Sequence, residues 1–147
     1  MEKAVAVILI LSLCFMPVQI QAKSVTSGTD DNGNKWTYHT STKTLTFAGD
    51  KAISDFTLNG HDREPYWYRW SNKTEHIVIE EGITGIGRNA FADFVNAKTV
   101  VLPDSVKVIG EDAFENNQSL RTIKIPDGVA KIGNGAFAGC EKLEEIQ

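Results

Sequence analysis

The second half of the chain carries one hydrophobic pattern three times. Ile86-Gly87, Ile109-Gly110 and Ile132-Gly133 each stand just ahead of an Ala-Phe pair, and successive copies are offset by 23 residues. The pairs are Ala90-Phe91, Ala113-Phe114 and Ala136-Phe137. A fixed offset of this size is the mark of a repeat architecture, in which each unit buries its apolar set only by stacking on the next. Within each copy, Ile77 and Ile79, Val100 and Leu102, or Ile123 and Ile125 alternate with more polar neighbours, as in a half-buried strand. Pro103-Asp104 and Pro126-Asp127 end two of those strands, and Ile83, Val106 and Val129 then turn inward. The expected architecture is a short repeat solenoid with a 23-residue period and a parallel β ladder. Its Ala-Phe pairs are placed on short helical or 3₁₀ turns. Ile86, Ala90, Phe91, Ile109, Ala113, Phe114, Ile132, Ala136 and Phe137 are the expected repeat core. Leu120 and Leu143 close their coils, with Ala97 at the matching position.

The stretch before the repeats has a different period. Lys35 to Tyr38 and Thr44 to Phe47 alternate polar and apolar residues and are expected to form a hairpin. Ser24 to Gly28 reads as a flexible lead-in, and Ala52 to Leu58 as a further strand. Asp30-Asp31-Asn32-Gly33-Asn34 resembles the start of a calcium loop, but the glutamate needed at the twelfth position is missing, and a turn is the better reading. Tyr66, Trp67, Tyr68 and Trp70 form the densest aromatic cluster in the chain. They suit either a sugar-stacking platform or a cap over the first coil, and repeat arrays need atypical terminal units. This divides the chain into a β-rich cap at 23–75 and repeats at 76–147.

Ahead of both, Lys3 and the apolar run from Ala4 to Met16 predict a signal peptide over residues 1–22, with small-residue cleavage after Ala22. Removing Glu2 and Lys3 together leaves the formal net charge at −4. That mild acidity, without a basic run, argues against a nucleic-acid partner. No membrane span is expected after cleavage. Cys140 is then the single remaining cysteine, so no intrachain disulfide is possible.

The strand, Pro-Asp-x-Val, Ile-Gly-x-x-Ala-Phe, cysteine and leucine pattern resembles the BspA-like leucine-rich repeats of bacterial surface and secreted proteins. The resemblance is close over 76–147 and looser over 30–75. Cys140 matches the family's frequent cysteine, where Phe94 and Asn117 stand in the earlier coils. The resemblance implies extracellular recognition or adhesion and brings no catalytic residue. His39, His61 and His76 show no metal-binding spacing, and no phosphate loop or nucleophile motif is present. No cofactor is expected. The expected role is therefore a non-catalytic secreted or cell-surface module binding an extracellular protein or matrix component. Its expected contact face is the outward strand residues His76, Val78, Thr99, Val101, Thr122 and Lys124. Two alternatives stand beside it: a glycan-binding module built on the aromatic cluster, and an N-terminal piece of a longer repeat protein. The last coil offers Ile132, Phe137, Leu143 and Ile146 to an uncovered interior, which predicts fraying or self-association through that end.

Overall fold

The computed structural model describes residues 25–57 and 65–147, so the expected signal peptide and His61 lie outside the described residues. Among the described residues ten strands follow in order: β1 (Val25–Thr29), β2 (Lys35–His39), β3 (Thr44–Ala48), β4 (His76–Ile79), β5 (Gly85–Ile86), β6 (Thr99–Val101), β7 (Val108–Ile109), β8 (Thr122–Ile123), β9 (Lys131–Ile132) and β10 (Glu145–Ile146). They form a five-stranded sheet β1-β2-β3-β4-β6, a three-stranded sheet β5-β7-β9, and the pair β8-β10. The first three strands are antiparallel, whereas every later pairing is parallel. The crossover comes at β3, which pairs antiparallel with β2 on one side and parallel with β4 on the other. The expected hairpin is therefore part of the same sheet as the first coils.

Parallel strands lie in register with like residues side by side. Ile77 faces Val100, Val78 faces Val101, and Ile86, Ile109 and Ile132 form one row across β5, β7 and β9. Inside, Phe91 stacks on Phe114 at 5.5 Å and Phe114 on Phe137 at 5.6 Å between ring centroids. Phe47 from β3 meets Phe91 edge-on at 5.4 Å, so the ring column begins in the hairpin. The glycine after each isoleucine is required by contact. A Cβ added at Gly110 would lie 2.7 Å from the backbone nitrogen of Arg88, in the preceding coil. Backbone approach of that kind excludes every side chain.

Three expectations are corrected. Ser24 to Gly28 is not a loose lead-in: from Val25 on it is strand β1, paired with β2. Its inward positions, Thr26 and Gly28, are small because Trp36 fills the space beside them. A Cβ on Gly28 would sit 2.7 Å from that indole. The 52–57 stretch forms no strand, since its buried residues Ile53, Ser54 and Phe56 do not alternate. It runs beneath the first coil instead, with the Ile53 N–H donating to Gly85 O and the Phe56 N–H to Arg88 O, both at 2.9 Å. The Ala-Phe pairs lie on turns rather than helices. Asn89, Asp93, Asp112 and Asn116 take φ between 53° and 62°, which breaks any helix and aims alternate amides at the next coil. Thus Phe91 N–H bonds Ala113 O and Phe114 N–H bonds Ala136 O, both at 2.9 Å.

The Asp30–Asn34 segment is a turn, with Gly33 at φ 90°. Asp30 is buried and its carboxylate accepts from the backbone N–H groups of Asn32, Asn34 and Ser54 and from the Asn34 side-chain amide, at 2.8–3.2 Å. Those bonds, with Asn34 Nδ2 donating to Ala52 O at 2.9 Å, tie the hairpin to the segment under the first coil.

Candidate functional site

The outward positions of the five-stranded sheet make one continuous surface. Strand register brings Val25, His39, Thr44, His76 and Thr99 into a row across β1, β2, β3, β4 and β6. A second row, two residues along, holds Ser27, Thr37, Thr46, Val78 and Val101. None of these ten side chains carries a formal charge at neutral pH, and most are β-branched. Val25 is 44% exposed and Val101 53%. The His76 ring Nδ1 meets the Thr99 hydroxyl at 2.8 Å, which fixes the imidazole across two strands.

Of the six residues expected on this face, His76, Val78, Thr99 and Val101 are direct strand neighbours. Thr122 and Lys124 are exposed on or beside β8, which packs next to β6 but ladders with β10. Reasoning from the repeats alone missed the hairpin half of the surface. The signal was present: Thr44-Leu45-Thr46 has the same alternation as His76-Ile77-Val78, but no repeat offset connects the two.

The aromatic cluster is divided by depth. Tyr66 is 56% exposed, while Trp67 has no exposed surface and Tyr68 and Trp70 are half-buried against the core. Trp67 is ringed by Phe47, Phe56, Trp36 and Phe91 at centroid distances of 4.7–6.5 Å, and its Nε1–H donates to Ala90 O at 2.9 Å. The Tyr68 hydroxyl meets the Asp93 carboxylate at 3.3 Å. These four rings do not form one flat platform.

Among the expected repeat-core residues, Ile86, Ala90, Phe91, Ile109, Ala113, Phe114 and Ala136 are buried, and Phe137 is half-buried. Ile132 departs from the expectation, being 48% exposed, because it belongs to the edge strand of its sheet. Cys140 is half-buried, with Sγ 3.2 Å from Phe114 O, and burial pushes its thiol pKa up, away from reactive thiolate. Its counterpart Asn117 is fully buried and donates to Phe91 O and Phe114 O, both at 2.8 Å.

One charged cluster sits where the hairpin meets the first coil. The Glu75 carboxylate is bridged by the ammonium groups of Lys43 and Lys98, one from the hairpin turn and one from the next coil. Hydrogen bonds from Lys43 and then Lys98 pull its pKa down to about 2. The same carboxylate raises the pKa of Lys43.

Parallel laddered coils capped by an antiparallel hairpin define a leucine-rich repeat fold. The family model described as the BspA type leucine rich repeat region matches residues 63–147, and the chain belongs to that family. That match begins just before the aromatic segment, ahead of the first laddered coil. Among solved structures, the chain is similar to a leucine-rich repeat protein from Eubacterium ventriosum, at 19% identity and a TM-score of 0.59. The match covers 83% of this chain and 43% of that one, so the chain spans less than half the length of this relative. A leucine-rich repeat protein from Bacteroides capillosus is similar at 22% identity and a TM-score of 0.50, over 82% of this chain and 70% of the other. No curated protein matches the chain. Among the described residues, no helix is long and apolar enough to cross a membrane.

Proposed function

We propose that this chain is a non-catalytic recognition module of the bacterial exterior, secreted or held at the cell surface, that docks an extracellular protein or matrix component on its outer sheet face. The repeats act as a short solenoid of 23-residue coils, and the hairpin lengthens its binding surface by three strands. Family membership supports the bacterial surface setting, and the apolar run from Ala4 to Met16 supports export.

The observation that carries the reading is the uncharged double row from Val25 and Ser27 across to Thr99 and Val101. Interface centres are depleted in charge, and ordering stiff β-branched side chains on binding costs little entropy. A double Val78→Asp, Val101→Asp variant tests it, since both positions point away from the core. The variant keeps the parent's fold by circular dichroism and loses capture of the partner from surface extracts by about tenfold or more, equivalent to about 1.4 kcal/mol. Undiminished capture moves the contact off this face.

A further inference from the structure

A second site, independent of the outer face, lies at the end of the sheet where β3, β4 and β6 begin. A cavity of about 550 Å³ opens there, walled by Tyr38, Trp70 and Glu75 and by the lysines 43, 73 and 98. Its size is within the roughly 300–1,000 Å³ common for small-ligand sites. The protein as a whole is acidic, at a net charge of −4, yet this pocket gathers three ammonium groups around one carboxylate. Glu75 stays ionised between Lys43 and Lys98, so the local balance at neutral pH is two positive charges.

The walls are held in place by contacts already present. Tyr38 stacks on Trp70 at 4.5 Å with 13° between planes, and its hydroxyl donates to Lys73 O at 3.3 Å. The Lys73 ammonium stands 5.4 Å over the Trp70 ring. Asn96 Nδ2 donates to Asn72 O at 2.8 Å, joining two residues of the lining. Thr40, Asn72 and Asn96 add hydroxyl and amide groups to the lining. One polar group in the wall is unsatisfied: the Trp70 indole Nε1–H is buried and has no hydrogen-bond partner.

We propose that this pocket binds an acidic sugar unit of a glycan, a uronic-acid residue whose carboxylate is compensated by Lys43, Lys73 and Lys98. Its hydroxyls suit the hydroxyl and amide groups of Thr40, Asn72 and Asn96. A bare inorganic anion would leave the amides and the Thr40 hydroxyl without a role. An acidic peptide fits less well, because peptides commonly add to a free sheet edge and β2 and β3 are paired on both sides.

The test is titration of the full chain with an oligogalacturonide, followed by calorimetry and by the Trp70 indole N–H resonance. Controls are the neutral oligosaccharide of the same linkage, sodium sulfate and a poly-glutamate peptide. Binding of the oligogalacturonide should move the Trp70 indole signal and should exceed that of each control by about tenfold. Lys73→Gln should weaken it about tenfold. Lys73 is exposed and takes no part in the Glu75 bridge, so its variant leaves the fold intact. Sulfate competing equally would reduce the site to an unspecific anion hole. Tighter binding of poly-glutamate would assign it to a peptide, and no millimolar binding of the oligogalacturonide would overturn it.

Discussion

The first and last of the described coils are built from the same phrase and packed differently. At the front, Trp67 closes the ring column with no exposed surface, held by four neighbouring rings and a hydrogen bond to Ala90 O. Asp30 and Asn34 anchor the hairpin to the segment beneath the first coil. At the back, Ile132 and Ile146 are 48% and 54% exposed, and Phe137 meets a ring on one side through Phe114. Identical residues in successive coils therefore do unequal amounts of holding. What decides their contribution is whether a neighbour exists on both sides, which is the expected behaviour of a stack with nearest-neighbour energetics.

The largest effect should separate Phe114 from Phe137. Phe114 has no exposed surface and lies between two stacked rings. Phe114→Ala should cost about 3–5 kcal/mol, as deletion of a buried aromatic does. Phe137→Ala removes a half-buried ring, and about 1 kcal/mol is expected from the smaller area it takes out of water. Urea melts of the two variants measure the difference. Equal losses would mean that the last coil is as firmly packed as the middle one.

That contrast bears on how much of the molecule its residues announced. The fixed offset between Ile-Gly and Ala-Phe copies located the ring column and the row Ile86, Ile109, Ile132, because stacked coils superpose like residues. The same offset relates Glu75 to Lys98, so one half of the charged cluster was legible too. The front was harder. Val25 to Thr29 has no apolar alternation, since its inward residues shrink to make room for Trp36, and so it did not look like a strand. Ile53 and Phe56 are buried without a strand period because they imitate a coil whose sequence they do not share. The turns that carry the Ala-Phe pairs depend on left-handed Asn and Asp residues, which sequence alone also permits at helix ends. The pocket joins residues from the hairpin turn, the aromatic segment and two coil starts, and no local pattern links them.

A smaller effect concerns the back end alone. The amides of the last coil should exchange with solvent faster than those of β4, β6 and β7, because few apolar contacts cover them. Exposed Ile132 and Ile146 beside the edges of β9 and β10 also favour pairing with a second copy. Light scattering of this chain should then show a mass that rises with concentration. Replacing both isoleucines with lysine should return it to a constant monomer mass, with little loss of stability at two half-exposed positions. A strictly monomeric parent whose last coil is fully protected would remove both expectations and make the two ends equivalent.

The smallest effect is electrostatic and belongs to the front. Glu75 links the hairpin turn to the second coil through Lys43 and Lys98, whereas Arg121 and Glu144 at the back stand 3.4 Å apart with both side chains largely exposed. The Glu75 pKa in the folded chain, about 2, lies below its ordinary value of 4.5. A depressed carboxyl pKa means that the bridge contributes fully above about pH 4.5 and is lost as the pH falls through about 2. NMR titration of the Glu75 carboxyl should give a midpoint near 2, moving upward with added salt, because partly exposed ion pairs are screened. Lys98→Met should raise that midpoint while leaving Lys43 as a remaining partner. A midpoint at the ordinary value would show the lysines to be solvated rather than bound, and the junction of hairpin and coils would then rest on the β3–β4 ladder, the Phe47–Phe91 contact, Trp67 and Asp30 without help from the bridge.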